Sequence, residues 1–240
     1  MTFALMLTAC TALTLEEPSD TYTWSGFVYA DIPADTVPGL TAGTIEVRDA
    51  NNEGIAWGEQ PNAEDPATWR ITLRQPEPVS IRISGSQQLT TVWRTQSPPA
   101  NSYWFSGTFF AVQPTTIVPL WDALAELTGE PFAVTDGAHL YGEPLALSDE
   151  DIEAWTGANI TVYDGEGVVH PVVALSTTED GFTEIAGDNT GPISSFTVTD
   201  LAPGNIRLVI DASDGRTVVM DYFAEPGDLL SAFAFTLPSI

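Results

Sequence analysis

The chain has 240 residues, 43% of them hydrophobic, and carries 33 acidic residues against 7 basic ones, for a formal net charge of -26. That balance excludes phosphate-backbone binding, which needs clustered Lys and Arg, and argues against docking on anionic lipid headgroups, so no nucleic acid partner is expected. The apolar and aromatic content is too high for a disordered chain, and a single cysteine excludes an intramolecular disulfide.

The N-terminal segment Phe3-Ala4-Leu5-Met6-Leu7 is apolar and runs into the small residues Thr8 and Ala9 before Cys10. Leu7-Thr8-Ala9-Cys10 resembles the lipobox of bacterial lipoproteins, in which a peptidase cuts before the cysteine and the thiol carries diacylglycerol. The resemblance implies a signal over residues 1–9, lipid attachment at Cys10 and a membrane partner through the acyl chains. The protein would then sit in the cell envelope, at the outer membrane in a Gram-negative cell because Thr11 follows the cysteine where an Asp would retain it. The segment is shorter than an ordinary secretory signal and lacks the basic start, so the signal is read as truncated. The alternative is a free, buried cysteine in an N-terminal strand. Residues 10–21, with Glu16-Glu17-Pro18-Ser19-Asp20, are polar enough to form a tether.

Beyond the tether the same order of elements occurs twice. The segments Ser25–Val28, Thr41–Asp49, Trp69–Leu73, Val79–Ile83 and Thr91–Trp93 match Tyr141–Leu145, Gly157–Asp164, Phe196–Val198, Ile206–Ile210 and Thr217–Val219. Most of them alternate apolar and polar residues with a period of two, as in Ile45, Val47 and in Trp69, Ile71, Leu73. Turn signals separate them, among them Asn51-Asn52-Glu53-Gly54, Asp164-Gly165-Glu166-Gly167, Pro203-Gly204 and Asp214-Gly215. Short strands at this spacing predict antiparallel sandwiches. The expected organisation is a first β-sandwich over 22–115, a linker with a helix over 116–136 and a second β-sandwich over 137–240. The linker helix is expected over Pro119–Leu127, with Leu120, Ala123, Leu124 and Leu127 on its apolar stripe and Gly129 as its stop. Ser148 is placed to cap a short helix at Asp149-Glu150-Asp151.

Ile160–Asp164 followed by Phe196–Leu208 resembles the carboxypeptidase regulatory-like, or transthyretin-like, domain, where a Pro-Gly turn joins two paired strands. The resemblance covers residues 137–237 and implies a non-catalytic module of envelope and surface proteins. Fibronectin-like and other immunoglobulin-like sandwiches fit the pattern as well. The fold class is therefore all-β: two tandem antiparallel β-sandwiches, transthyretin-like or immunoglobulin-like, joined by a short helical linker.

Chemistry has few anchors. No Gly-x-Ser-x-Gly elbow is present, and the only histidines are His139 and His170. Zinc lacks ligands, and no cofactor is implied. Asp49-Ala50-Asn51-Asn52-Glu53-Gly54 begins like an EF-hand loop, but Gln60 stands where a bidentate Glu is required, and a hairpin turn explains it better. Carboxylates are so abundant that a hydrolase using a pair of them is a reading without a nameable pair. Binding is the remaining possibility. Trp104 lies between Tyr103 and Phe105 and so faces away from both in a strand, and Trp57 and Trp93 could add to an aromatic platform for glycan, whereas Trp24, Trp69 and Trp155 are expected in cores or at boundaries. The leading expectation is a non-enzymatic lipoprotein with a structural, adhesive or protein-interaction role, and the alternative is a glycan-binding lipoprotein using exposed tryptophans.

Overall fold

The computed structural model describes residues 22–29, 43–58, 68–73, 79–85, 88–94, 104–129, 133–146, 148–177, 183–185, 191–235 and 237. The N-terminal half holds β1 (Tyr22–Tyr29), β2 (Gly43–Arg48), β3 (Gly54–Trp57), β4 (Thr68–Leu73), β5 (Ser80–Gly85), β6 (Thr91–Arg94) and β7 (Trp104–Phe110), followed by α1 (Pro114–Thr128). The C-terminal half holds β8 (Ala138–Pro144), α2 (Asp149–Trp155), β9 (Asn159–Tyr163), β10 (Val169–His170), β11 (Val173–Thr177) and β12 (Thr183–Ile185). It ends with β13 (Ile193–Leu201), β14 (Gly204–Asp211), β15 (Thr217–Ala224) and β16 (Leu229–Phe235). The fold is all-β, with two helices among the described residues.

The two halves share one strand plan. In the first, β4-β1-β7 faces β3-β2-β5-β6; in the second, β13-β8-β16 faces β10-β9-β14-β15, and β11 and β12 extend the β13 edge. The pairing is not purely antiparallel: β7 runs parallel to β1, and β16 runs parallel to both β8 and β6. The last strand of each sandwich returns to lie beside its first in the same direction.

Two local devices recur in both halves. Asp49 Oδ1 accepts the amides of Asn51 and Glu53, each at 2.9 Å, while Asp164 Oδ1 accepts those of Glu166 at 2.9 Å and Val168 at 2.8 Å. Each hairpin then places its fourth residue in the left-handed region, Asn52 at φ 64° and Gly167 at φ 79°. The EF-hand-like segment is thus a hairpin whose Asp49 carboxylate is already committed to backbone amides. The second device is a glycine opposite an aromatic side chain. Gly26 pairs with Trp69 and Gly142 with Phe196, and a Cβ on Gly142 would lie 2.2 Å from the Phe196 ring. The ring packs across the bare backbone, so only glycine fits.

The sandwiches do not stand apart. Because β16 also pairs with β6, their sheets merge into one of nine strands, β12-β11-β13-β8-β16-β6-β5-β2-β3. Its faces alternate strictly. Ile81 pairs with Trp93 and points into the first core with Ile45, Val47, Trp69 and Ile71. Arg82 pairs with Val92, and Val92 belongs to the second core with Leu140, Phe196, Leu208 and Leu230. Neighbouring residues of β6 therefore serve two cores, and the two smaller sheets cover opposite faces of the large one. Each large aliphatic or aromatic side chain so buried contributes about 1.5–3 kcal/mol.

Helix α1 begins five residues before the expected start, with Pro114 in its first turn, and ends at Gly129 as expected. Its buried stripe is Ile117, Trp121 and Leu124, which pack with Leu175 and Leu229 on the large sheet, while Ala123 and Leu127 are exposed. The stripe is rotated from the sequence reading because Trp121, the largest apolar residue of the helix, is the one that reaches the sheet, where its Nε1 donates to Thr197 Oγ1 at 3.2 Å. Pro119 lies inside the helix on its exposed side and withholds an N–H from the Thr115 carbonyl. Ser148 caps α2, its Oγ accepting the Asp151 amide at 3.2 Å.

The Pro203-Gly204 turn departs from the transthyretin-like expectation. It links β13 to β14, which lie in different sheets and are not paired. Gly165 explains the crossing: its amide donates to the Ala202 carbonyl at 2.9 Å, so the turn leans on the 164–168 hairpin instead of closing one of its own.

Candidate functional site

Two surfaces of the C-terminal sandwich carry side chains that fold-level patterning alone would not place. The first is the junction with the N-terminal sandwich. Alternation on β5 turns Arg82 away from the first core, toward the turn between β15 and β16. There its Nη1 donates to Asp228 Oδ2 and its Nη2 to Asp228 Oδ1, both at 2.8 Å, and Nη2 also reaches Glu225 Oε2 at 2.9 Å. Arg48, on the same face, donates to Glu225 at 2.6 Å and Glu46 at 3.0 Å. Arg82 and Asp228 keep only 7% and 2% of their side-chain surface exposed. Burial pushes the Asp228 carboxyl above its ordinary value despite the arginine. The desolvation of both groups offsets much of their mutual attraction. Asp228 also accepts the Glu225 amide at 2.6 Å, which closes the turn.

The second surface is the outer face of the four-stranded sheet. Register brings Val169, Tyr163, Arg207 and Asp221 into one row across β10, β9, β14 and β15, and Thr161, Val209 and Val219 into the next. Tyr163, Arg207, Val209 and Asp221 line, with Asn205 and the 164–167 turn, an open groove of about 600 Å³. Tyr163 is 37% exposed and Val219 53%. Arg207 Nε donates to Asp221 Oδ1 at 2.6 Å in an exposed pair. Asp164 at the groove rim accepts from His170 Nε2 at 2.8 Å. Burial acts to raise its carboxyl, but His170 and the amides of Val168 and Glu166 outweigh it and hold the group below its ordinary value. His170 is thus a hairpin strut.

Trp57 and Trp93 do not share a surface. Trp57 is 63% exposed on β3, the edge of the nine-stranded sheet, where it pairs with Glu46. Trp93 is buried at 7% exposure on the other face, in the first core, and cannot serve as a platform. The side chains of Trp104 and Trp24, and Cys10 with the whole signal and tether, lie outside the described residues. Trp69 and Trp155 are core residues. Tyr163, Arg207 and Val219 escaped the sequence reading; the available signal was Tyr163, Val209 and Val219 at outward-facing positions of β9, β14 and β15.

Other perturbed groups lie elsewhere. His139 is fully buried against Trp121, with ring centroids 5.0 Å apart. Burial holds its pKa below the ordinary value, and backbone amides of Thr135 and Asp200 point at its two nitrogens from 3.3 and 3.4 Å. Burial likewise raises Glu143, which accepts from Tyr141 at 2.5 Å. Glu143 and Asp228, two carboxyls raised by burial, are five positions apart along the paired strands β8 and β16. That places them on the order of 15 Å from each other, too far to act on one bond. Among the described residues no three His, Cys, Asp or Glu side chains gather as a metal site, and no helix is long and apolar enough to cross a membrane.

No family model matches the chain, and no curated protein matches it. Among solved structures it is similar to the Bacillus anthracis TIE protein, with a TM-score of 0.31 and 8% identity over 91% of this chain and 34% of that one. It is also similar to a candidate adhesin from Bacteroides ovatus ATCC 8483, with a TM-score of 0.24 and 10% identity over 98% of this chain and 99% of that one. The chain spans about a third of the length of the TIE protein. Likenesses this distant carry no functional argument, so function rests on the residues above.

Proposed function

We propose that this protein is a non-enzymatic module of the bacterial cell envelope, anchored through lipid on Cys10 and acting by contact as a structural or adhesive element. The observation that carries the reading is the shared nine-stranded sheet locked by Arg82 and Asp228. It joins two sandwiches into one stiff body and leaves the outer face of β9-β14-β15 open to a partner. Two acyl chains on one cysteine are enough for stable anchoring where one is marginal. The anchor is tested by mass spectrometry and membrane fractionation of the protein expressed from its native upstream region, with Cys10→Ser as control. Diacylglycerol on Cys10 and loss of the membrane fraction in the variant are expected; an unmodified thiol in a soluble fraction refutes the anchor.

The exposure of Trp57 favours a second reading, glycan binding at the β3 edge, because a sugar face stacks on an aromatic ring standing clear of the sheet. A glycan array with the wild type and Trp57→Ala tests it. Signals lost in the variant support it, and signals that are absent or unchanged remove it.

A further inference from the structure

The internal junction has a vacant twin. The matched hairpins set Asp164 in the place of Asp49, so Tyr163 stands where Arg48 does and Thr161 where Glu46 does. Strand register carries the correspondence outward. Arg82 pairs with Glu46 and Val92, and Val209 pairs with Thr161 and Val219. Val209 thus occupies the place of Arg82, and Val219 that of Val92. In the internal junction β16 lies along β6, Leu230 beside Val92, and Val92 is completely buried. On the second sandwich nothing among the described strands lies along β15, and Val219 is 53% exposed.

The strand that would fill that edge also exists. Gly26 pairs with Gly107 as Gly142 pairs with Ala232, which sets Phe105 of β7 at the register position of Leu230. Among the described strands, β7 is an edge. Where the internal junction joins Arg82 and Arg48 to Asp228 and Glu225, the acceptor face offers Val209 and Tyr163 beside the exposed Arg207–Asp221 pair.

We propose that the β15 edge and the outer face beside it receive the β7 edge of a second copy of this chain, repeating the internal junction head to tail. Such a contact is heterologous, so copies add head to tail into a ring or a line. A net charge of -26 on each copy opposes the approach, and salt screens that repulsion. The inference rests on the reading of the protein as a contact module. It is measured in solution without any membrane, so the lipid anchor and the self-contact can fail separately.

Sedimentation velocity on the full chain, across concentration and from low to about 0.5 M salt, is the test. Association that grows with concentration and with salt is expected. Val219→Glu adds a charge at the centre of the contact and should weaken association more than about tenfold. Val134→Glu, an equally acidic change at another exposed apolar residue, should leave it intact. Val209→Arg, which sets a charge beside Val219, should weaken it as well. Circular dichroism confirms that each variant is folded. A chain that stays monomeric throughout overturns the proposal, as does association that Val219→Glu leaves unchanged.

Discussion

Replacing Asp228 by alanine tests whether the ion pair holds the two sandwiches in register. The change removes two charge-assisted hydrogen bonds of 2.8 Å and leaves Arg82, almost wholly enclosed, with Glu225 as its remaining carboxylate partner among the described residues. Breaking one side of a buried pair costs about 3–5 kcal/mol, because the surviving charge stays desolvated. The Glu225 amide also loses its acceptor, worth about 1 kcal/mol. In a chain of this size each kcal/mol shifts the melting temperature by about 2–4 °C, so a fall on the order of 10 °C is expected by calorimetry. The double variant Arg82→Met/Asp228→Leu removes both charges and fills the space, and should recover all but about 1–2 kcal/mol. Amide exchange should show β16 and β6 opening earlier in the single variant than in the double one. A single variant that costs less than about 1 kcal/mol, or a double variant as unstable as the single, would refute the reasoning that an abandoned charge dominates.

Gly142→Ala drives a methyl into the Phe196 ring and should destabilise by about 1–3 kcal/mol in urea unfolding, with Gly142→Ala/Phe196→Leu recovering part of the loss. His139 has a depressed native pKa, so below about 6.5 the unfolded chain binds a proton that the native one refuses. Its contribution is complete above that pH and is lost as pH falls toward the native value; the slope of the urea midpoint against pH over this window should flatten in His139→Gln. Asp164 also has a depressed native pKa, so its contribution is present above about pH 4 and lost as acid protonates it in the native state. Asp164→Asn should remove that acid sensitivity and loosen the 164–168 hairpin, seen as faster exchange of the Val168 amide. Trp57→Ala should leave stability within about 0.5 kcal/mol, since the ring stands clear of the core.

Much of the fold was legible because period-two alternation and turn residues act locally. Ile45, Val47, Trp69 and Ile71 face a core as their spacing required, and the Asp49 and Asp164 turns are the hairpins their sequences spell. The merger of the sheets was not legible, because β16 has one apolar alternation whether it borders one strand or two. Pro203-Gly204 likewise signals a turn without stating whether the strands it joins will pair. Trp93 illustrates the limit for sites: its neighbours allow either face, and only the register with Ile81 sends it inward. The groove was missed because Tyr163, Arg207 and Asp221 are far apart in sequence and gather through two strand pairings, neither of them encoded by a motif.

The arginines show how an acidic chain stays rigid. Four of the seven, Arg48, Arg82, Arg207 and Arg216, form carboxylate pairs among the described residues. Arg216 ties α2 to the β14–β15 turn through Asp151 and Asp214, and Arg48 and Arg82 tie one sandwich to the other. Salt weakens exposed pairs such as Arg207–Asp221 but hardly reaches Arg82–Asp228. Rising salt therefore relieves the repulsion among the surplus carboxylates while leaving the junction intact. A body built this way keeps its internal register in the medium that best lets copies of it approach one another.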